Sequence, residues 1–224
     1  MFQHRIQHSW IDDFVLRGNG AGESLAPFSQ TFAAAELLAR VADERSGLPR
    51  QAYEQVGVAG RQIEMLADVA QRLETDFNGC VRASDSVRAG GGDASDRARV
   101  LMRSLTGAVE ATATLMEVCQ ALLDVAATLT VITRPKARIQ IVAAVEGLRC
   151  ATSVALVTVH SSLGRITDAR VYDRLVKKVE SAQSTLDYAD RIARDLRILT
   201  RPSQLMRTPP PQEPRVSIWT ADLS

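Results

Sequence analysis

Aromatic residues are scarce in this sequence. Phenylalanine, tyrosine and tryptophan together make up 4% of its 224 residues, although 46% of the residues are hydrophobic. Alanine, leucine and valine abound instead, and side chains this small let helices approach one another closely. The composition therefore favours an all-α bundle over a β-sandwich, and the chain is long enough to bury a substantial core.

Cysteine is also rare. The chain has three cysteines, Cys80, Cys119 and Cys150, each inside a helical pattern with apolar neighbours. An odd number without paired spacing argues against a disulfide framework and favours a reducing compartment, so we interpret all three as small buried side chains. The opening residues, MFQHRIQHSWIDDF, have no apolar run of the kind found in a signal peptide. We therefore expect a cytoplasmic protein.

Neither sign of charge is in excess. The 27 lysines and arginines are balanced by 26 aspartates and glutamates. A chain balanced in this way has no overall field that would attract nucleic acid or an anionic membrane. We therefore expect neither as a partner.

Motifs that identify an enzyme class are missing as well. The three histidines, His4, His8 and His160, show no metal-ligand spacing, so no metal is expected. The glycine-rich residues 18–22 and 90–92 lack the preceding strand and the Lys-Ser/Thr pair of a phosphate loop. The G-x-S-x-G nucleophile motif is absent. His160 stays a candidate general acid or base, with a hydrogen-bonded structural histidine as the alternative.

One long apolar stretch, residues 134–164, organises the chain. Pro135 suits the first turn of a helix, and apolar side chains then cover most of the circumference. Three charged residues interrupt the stretch: Arg138, Glu146 and Arg149. The uninterrupted apolar run that remains is shorter than the roughly 20 residues that a transmembrane helix needs. The pattern predicts a buried central helix with other helices packed around it.

Helical periodicity and cap residues predict the other elements. Ser29 and Asp168 are the expected N-caps of an alanine-rich helix and of the last helix. Residues 1–200 then form one helical domain, and the proline-rich residues 201–224 form a polyproline-like or disordered tail. The predicted helices cover residues 10–15, 32–46, 51–86, 97–132, 134–164 and 169–200.

Over residues 9–199 the order of these elements resembles the cyclodeaminase/cyclohydrolase family. The similar segments are SWIDDFVLRG, TFAAAELLARVA, LETDFNGCV and RPKARIQIVAAVEGLRCATSVALVTVHSSLGRITD. The family includes formiminotetrahydrofolate cyclodeaminase and methenyltetrahydrofolate cyclohydrolase. The resemblance implies an all-α homodimer with a folate site lined by buried helices.

Several polar positions of the family pattern differ in this chain. The family's Pro-Gly-Gly-Gly-Ser corresponds to Ala26-Pro27-Phe28-Ser29, which replaces open backbone with a ring. One family aspartate corresponds to Gln140, which keeps a hydrogen bond but loses a charge and a possible base, and another corresponds to Leu73. The family's asparagines near the end of the central helix correspond to Thr158 and Ser162.

Six residues are therefore candidates for a site. Asp76 is a carboxylate next to the matching Phe77 and Asn78, with a solvated helix residue as the alternative reading. Thr158 and Ser162 are four residues apart and share a helix face, from which His160 is turned away. The candidate catalytic residues are Asp76 and His160, and the candidate substrate-binding residues are Ser29, Gln140, Thr158 and Ser162.

We expect a divergent enzyme that opens or closes a ring in a small molecule. The resemblance implies a tetrahydrofolate one-carbon derivative as the substrate, with no further cofactor, and a homodimer as the assembly. Two alternatives remain open: an enzyme of a specialised pathway that uses a non-folate substrate on the same fold, and a non-catalytic helical dimer that acts as a binding protein.

Overall fold

The computed structural model describes residues 21–44, 47–90 and 93–200. These residues form helices and contain no strand, so the predicted all-α fold is confirmed. The predicted helix at residues 10–15 and the proline-rich tail lie outside the described residues. The helices are α1 (Ala21–Asp43), α2 (Arg50–Ala89), α3 (Ala94–Ile132), α4 (Arg138–Ser162) and α5 (Ala169–Thr200), with short 3₁₀ turns at Pro135–Ala137 and Leu163–Arg165.

The start of α1 differs from the prediction. Ser29 was expected to cap this helix, but α1 already runs from Ala21 through Pro27, so Ser29 is an exposed residue in its interior. Proline removes one backbone donor and strains the preceding turn, a cost that arises here because Pro27 lies beyond the first turn of α1, the part of a helix that tolerates proline. Phe28 offsets this cost because it is fully buried, with its ring centroid 5.6 Å from that of Phe77.

The cap at the start of the last helix is confirmed. The carboxylate of Asp168 accepts hydrogen bonds from the backbone N–H groups of Arg170 and Val171, at 2.9 and 3.1 Å. Asp93 caps α3 in the same manner, accepting from the N–H groups of Ser95 and Asp96. The short connections place α2 antiparallel to α3, and α3 antiparallel to α4. These hairpins fix which residues face one another across the bundle.

Among the described helices, α3 buries the largest set of side chains and packs against all four others. The helix in the long apolar stretch, α4, is covered by α1, α3 and α5 on one side, where Leu148 is fully buried. No other described helix covers its opposite side. Four residues on that side, Ile139, Ala143, Cys150 and Val157, form an exposed row that we call the α4 stripe.

Within the described residues, two segments are long and apolar enough to cross a membrane, judged by length and composition alone. They are Ala94–Ile132 and Pro135–Arg165, and 50% and 39% of their most apolar windows are buried inside the bundle. The second one coincides with the stretch 134–164, which was expected to be too short for a membrane span because of its charged residues. Core helices of a globular protein have the same length and composition. Their packing against other helices accounts for the apolar character of both segments.

The three cysteines differ in their surroundings. Cys119 is fully buried at the meeting of three helices, where its Sγ lies 3.3 Å from Oγ1 of Thr31 on α1 and also hydrogen-bonds with Thr152 on α4. Cys80 is half-buried, and Cys150 is exposed. The prediction of buried cysteines is therefore wrong for Cys150, because no other part of the described chain covers that side of α4.

Candidate functional site

A groove of about 850 Å³ lies between α2, α3 and α5. Two glycines in the interiors of long helices, Gly79 and Gly107, line it. A Cβ on Gly107 would lie only 2.7 Å from Sγ of Cys80, whereas a Cβ on Gly79 would meet open space. The absence of a side chain at Gly107 therefore lets α2 and α3 approach closely at the floor of the groove.

One wall of the groove is held by ion pairs between α3 and α5. Arg174 forms an ion pair with Glu110. Lys178 donates to Oγ1 of Thr114 at 3.0 Å and to Oε2 of Glu117 at 2.8 Å. The two cations of this wall therefore already have carboxylate partners from the protein.

The other charged side chains of the groove have no such partners. Asp76, Arg82 and Arg103 line the groove and are exposed. Within the described part of the chain none of the three forms an ion pair. Their charges are therefore available to a bound solute.

The contact between Cys80 and Gly107 sets the positions of the α-carbons of these three residues along the helix axes. Because α2 and α3 are antiparallel, Arg82 and Arg103 fall within about 3 Å of the same level along the bundle axis. Asp76 lies six residues before Arg82, a rise of about 9 Å. The main chain therefore places Asp76 at a different level from the two arginines, and Arg82, two residues after Cys80, is turned about 200° around α2 from the residue that contacts Gly107.

Cys80 lies one helical turn from Asp76 inside the groove. Partial burial of the thiol, and then the negative charge of Asp76, raise the pKa of Cys80 above its ordinary value of 9.0. Both effects disfavour the thiolate. Cys80 therefore stays protonated at neutral pH, which argues against its use as a nucleophile.

The structure separates the other candidate residues from this groove. His160 lines a different groove, of about 440 Å³, between the end of α4 and the middle of α5, together with Glu180 and Gln183. Thr158 and Ser162 do share a face, as predicted, since the Ser162 hydroxyl donates to the carbonyl oxygen of Thr158 at 2.9 Å. The Thr158 hydroxyl donates in turn to its own helix at Val154. Both hydroxyl groups are thus engaged by main-chain carbonyls.

Ser29 and Gln140 also lie away from the large groove. Ser29 is exposed on α1, and Gln140 is half-buried near the start of α4. The side-chain carbonyl oxygen of Gln140 is buried and accepts no hydrogen bond within the described ranges. Of the six candidate residues, the structure therefore places only Asp76 in the 850 Å³ groove.

Sequence reasoning missed the two free arginines of the groove. Arg82 and Arg103 look like ordinary solvated residues on the polar faces of long helices. The signal that could have found them is the glycine in each helix: Gly79 and Gly107 are costly in a helix interior and mark a site of close approach or open space.

A sequence profile of the formiminotransferase-cyclodeaminase family matches residues 39–181 of this chain. The chain belongs to this family. The matched range includes every residue that lines the large groove. The family resemblance drawn from the residues alone is thereby confirmed.

The fold is also that of a solved cyclodeaminase. The crystal structure of formiminotetrahydrofolate cyclodeaminase from Thermotoga maritima superposes with a TM-score of 0.67, covering 86% of this chain and 96% of that one. The two sequences are 13% identical, so this likeness shows the fold. No curated protein matches the chain in sequence. Family and fold together support a cyclodeaminase-like function.

Proposed function

We propose that this protein is a divergent cyclodeaminase/cyclohydrolase-like enzyme that opens or closes a ring in a small molecule bound between α2, α3 and α5. The observation that carries the proposal is Asp76, an unpaired carboxylate in a large groove inside the family-matched range. A tetrahydrofolate one-carbon derivative is the first substrate class to test.

Asp76 suits the proton transfers that such chemistry needs. Hydrolysis of the cationic methenyl bridge adds water to the bridging carbon and breaks one carbon–nitrogen bond. One proton of the water goes to the released nitrogen, and the other is lost to solvent. Ring closure of a formimino group joins a neighbouring amine nitrogen to the formimino carbon and breaks the bond from that carbon to the formimino nitrogen. The amine loses its proton, and the protonated formimino nitrogen gains one and leaves as ammonia. A carboxylate in contact with the reacting carbon and nitrogen performs either transfer.

Leu73 supports the divergent character of the enzyme. The resemblance places a family aspartate at this position, and Leu73 lines the same groove as Asp76. The three-residue spacing puts both on one side of α2, so a carboxylate remains near the position where the family has one. A displaced carboxylate favours a substrate that differs in shape from the family's own, and therefore keeps the non-folate enzyme as the second candidate.

The test of the activity is binding and turnover of 5,10-methenyltetrahydrofolate and 5-formiminotetrahydrofolate. We expect Asp76→Asn to lower kcat by about 10²–10⁴-fold while binding persists, since only proton transfer is lost. Glu64→Gln, an exposed carboxylate on the same helix outside the groove, is the matched control. Binding without turnover in wild type would leave the non-catalytic binding protein, and absence of both would exclude folate chemistry.

The candidate residues at the end of α4 need a separate variant set. If His160, Thr158 and Ser162 take part, then His160→Gln, Thr158→Val or Ser162→Ala lowers kcat/KM for the same substrates. If only the groove with Asp76 is used, these variants retain wild-type kinetics. Circular dichroism is the control for folding, because Ser162 is fully buried.

We also propose that the protein is a homodimer joined through the α4 stripe. Ile139 and Val157 are 71% and 60% exposed, and an apolar row of this kind is typical of a covered interface. Cys150 lies at the midpoint of α4 (Arg138–Ser162), so two antiparallel copies crossing at a twofold axis would bring the two thiols together.

Oxidative cross-linking tests this assembly. A disulfide-forming oxidant is expected to give a covalent dimer of wild type and none of Cys150→Ser. A monomer by light scattering at micromolar concentration, with no cross-linked species, would overturn the proposed dimer.

A further inference from the structure

The 850 Å³ groove contains a buried hydroxyl group that the fold itself does not use. Ser104 on α3 is 5% exposed and lines this groove. Within the described ranges its hydroxyl forms no hydrogen bond, whereas the equally buried Thr112 on the same helix donates to the carbonyl oxygen of Ala108 at 2.9 Å. A buried hydroxyl without a partner costs free energy, and a ligand that exchanges a hydrogen bond with it removes that cost.

Gly79 on α2 is a second costly residue in the same groove. Glycine is unfavourable in a helix interior, because it loses more conformational freedom on folding than alanine does. Close packing explains Gly107, where a Cβ would lie 2.7 Å from Sγ of Cys80, but a Cβ on Gly79 would meet open space. The contacts of the described chain therefore do not account for Gly79. The space beside it belongs to the groove, where a ligand can approach the backbone of α2 closely.

The two residues belong to one stretch of the groove. Gly79 precedes Cys80 in the sequence, and Ser104 lies one turn from Gly107 on the same side of α3. Since Cys80 faces Gly107 across antiparallel helices, the α-carbons of Gly79 and Ser104 lie at levels about 6 Å apart along the helix axes. One small molecule in the groove can therefore contact both residues.

We infer that Gly79 and Ser104 are substrate-contacting residues that determine which ring compounds the groove accepts. The ring lies against the uncovered backbone of α2 at Gly79, and the Ser104 hydroxyl exchanges a hydrogen bond with a polar atom of the substrate. The inference rests on the proposed function, which supplies a ring compound as the substrate. Both residues act on binding, while the proton transfers stay with Asp76.

The space beside Gly79 can be tested without a substrate. N-phenylmaleimide carries a ring and alkylates thiols, and Cys80 follows Gly79 in the groove. We expect Gly79→Leu to slow this alkylation of Cys80 more than about tenfold, because the leucine fills the space that the ring must enter. Iodoacetamide, which has no ring, should be slowed much less.

The matched control for this variant is Gly164→Leu, at a second glycine with open space that lies outside the groove. It should leave both rates for Cys80 unchanged. An equal rate with N-phenylmaleimide in Gly79→Leu and wild type would overturn the inference. Mass spectrometry of the alkylated peptide measures these rates.

Thermal unfolding tests whether the Ser104 hydroxyl supports the fold. Ser104→Ala removes a hydroxyl without a partner, so we expect the melting temperature to stay the same or to rise. Ser84→Ala is the matched control, because Ser84 is also buried without a hydrogen bond but lies outside the groove. A melting temperature well below that of wild type in Ser104→Ala would overturn the inference, since the hydroxyl would then be structural.

Kinetics separate the inference from the proposed activity. If wild type turns over 5,10-methenyltetrahydrofolate or 5-formiminotetrahydrofolate, Ser104→Ala should raise KM about tenfold with kcat nearly unchanged. Ser84→Ala should change neither constant. An unchanged KM in Ser104→Ala would remove Ser104 from the contact surface and keep the enzyme. If wild type turns over neither compound, the folate activity fails, and the alkylation and melting experiments still decide the inference.

Discussion

The groove and the α4 stripe are two surfaces that the described helices leave uncovered, and they are opposite in character. The groove is concave and charged, and it lies where glycines on two helices create space. The α4 stripe is apolar and uncharged, and it lies on a helix that is buried on its other side. A concave charged surface holds a hydrated solute, whereas an exposed apolar row gains free energy only when another apolar surface covers it.

The two surfaces therefore differ in what a single substitution should change. The α4 stripe is exposed to solvent in the monomer, so a charge placed on it should leave the stability of the monomer fold unchanged. The charge should weaken only the association of two copies. A change in the groove alters ligand binding or local packing and leaves association intact. The following predictions separate these effects, beginning with the largest.

Val157→Glu on the α4 stripe is expected to weaken the dimer by more than about 100-fold in Kd, since it would place an unpaired carboxylate in both halves of an apolar interface. Sedimentation velocity over a concentration series measures this. Val58→Glu, which charges an exposed valine on α2, should leave association unchanged. A dimer of wild-type strength in Val157→Glu would show that the stripe is not the interface.

Gly107→Ala tests the close approach of α2 and α3 under the groove. Its Cβ would lie 2.7 Å from Sγ of Cys80, so we expect a loss of about 1 kcal/mol in the free energy of unfolding. In a Cys80→Ala background the same change should stabilise by about 1 kcal/mol, because alanine favours a helix over glycine.

The control for this pair is Gly79→Ala, which meets open space and should stabilise in either background. Urea unfolding of wild type, Cys80→Ala, Gly107→Ala and the double variant gives the coupling energy between positions 80 and 107. A coupling energy of zero would mean that Cys80 turns aside without cost.

Cys80 and Cys150 report separately on the two surfaces. In the dimer we expect Cys150 to be protected from iodoacetamide, and in Val157→Glu to become several-fold more reactive. Cys80 should react at the same rate in both proteins, and faster in Asp76→Asn, because removing the carboxylate lowers the pKa of its thiol. Mass spectrometry of the alkylated peptides measures each rate. Equal Cys150 rates in the two proteins would contradict the covered stripe.

Alkaline pH should produce the smallest effect. Burial raises the pKa of Cys119, and burial together with Asp124 raises that of Tyr188. Between the two pKa values, each group keeps its proton in the folded state but has released it in the unfolded chain. The stability that the two protonated groups contribute is fully present below the pKa of the unfolded state and is lost as pH rises through the pKa of the folded state. We expect the melting temperature to fall above about pH 9, the ordinary value for the thiol.

Cys119→Ala provides the comparison for that measurement. It removes the most deeply buried of these groups, so the decline of melting temperature with pH should become shallower. An unchanged slope would mean that Cys119 does not titrate in this range.

The sequence by itself determined the helical fold and the family. Apolar periodicity placed α2 and α3 to within a few residues, and Asp168 marked the start of α5, because helix periodicity and capping are local properties of the chain. The prediction that Ser29 caps α1 was wrong, since this helix starts at Ala21 and continues through Pro27 to Phe28, whose ring packs against that of Phe77.

Only the tertiary structure decided the site. The sequence indicated Asp76 but offered no reason to join it with Arg82 and Arg103, which line the same groove only because α2, α3 and α5 pack together. The sequence likewise showed α4 as apolar over most of its circumference, and only the packing of α1, α3 and α5 revealed which side the described helices leave uncovered. Both features depend on the register between helices, which is set by side-chain packing across the bundle and not by the periodicity of any one helix.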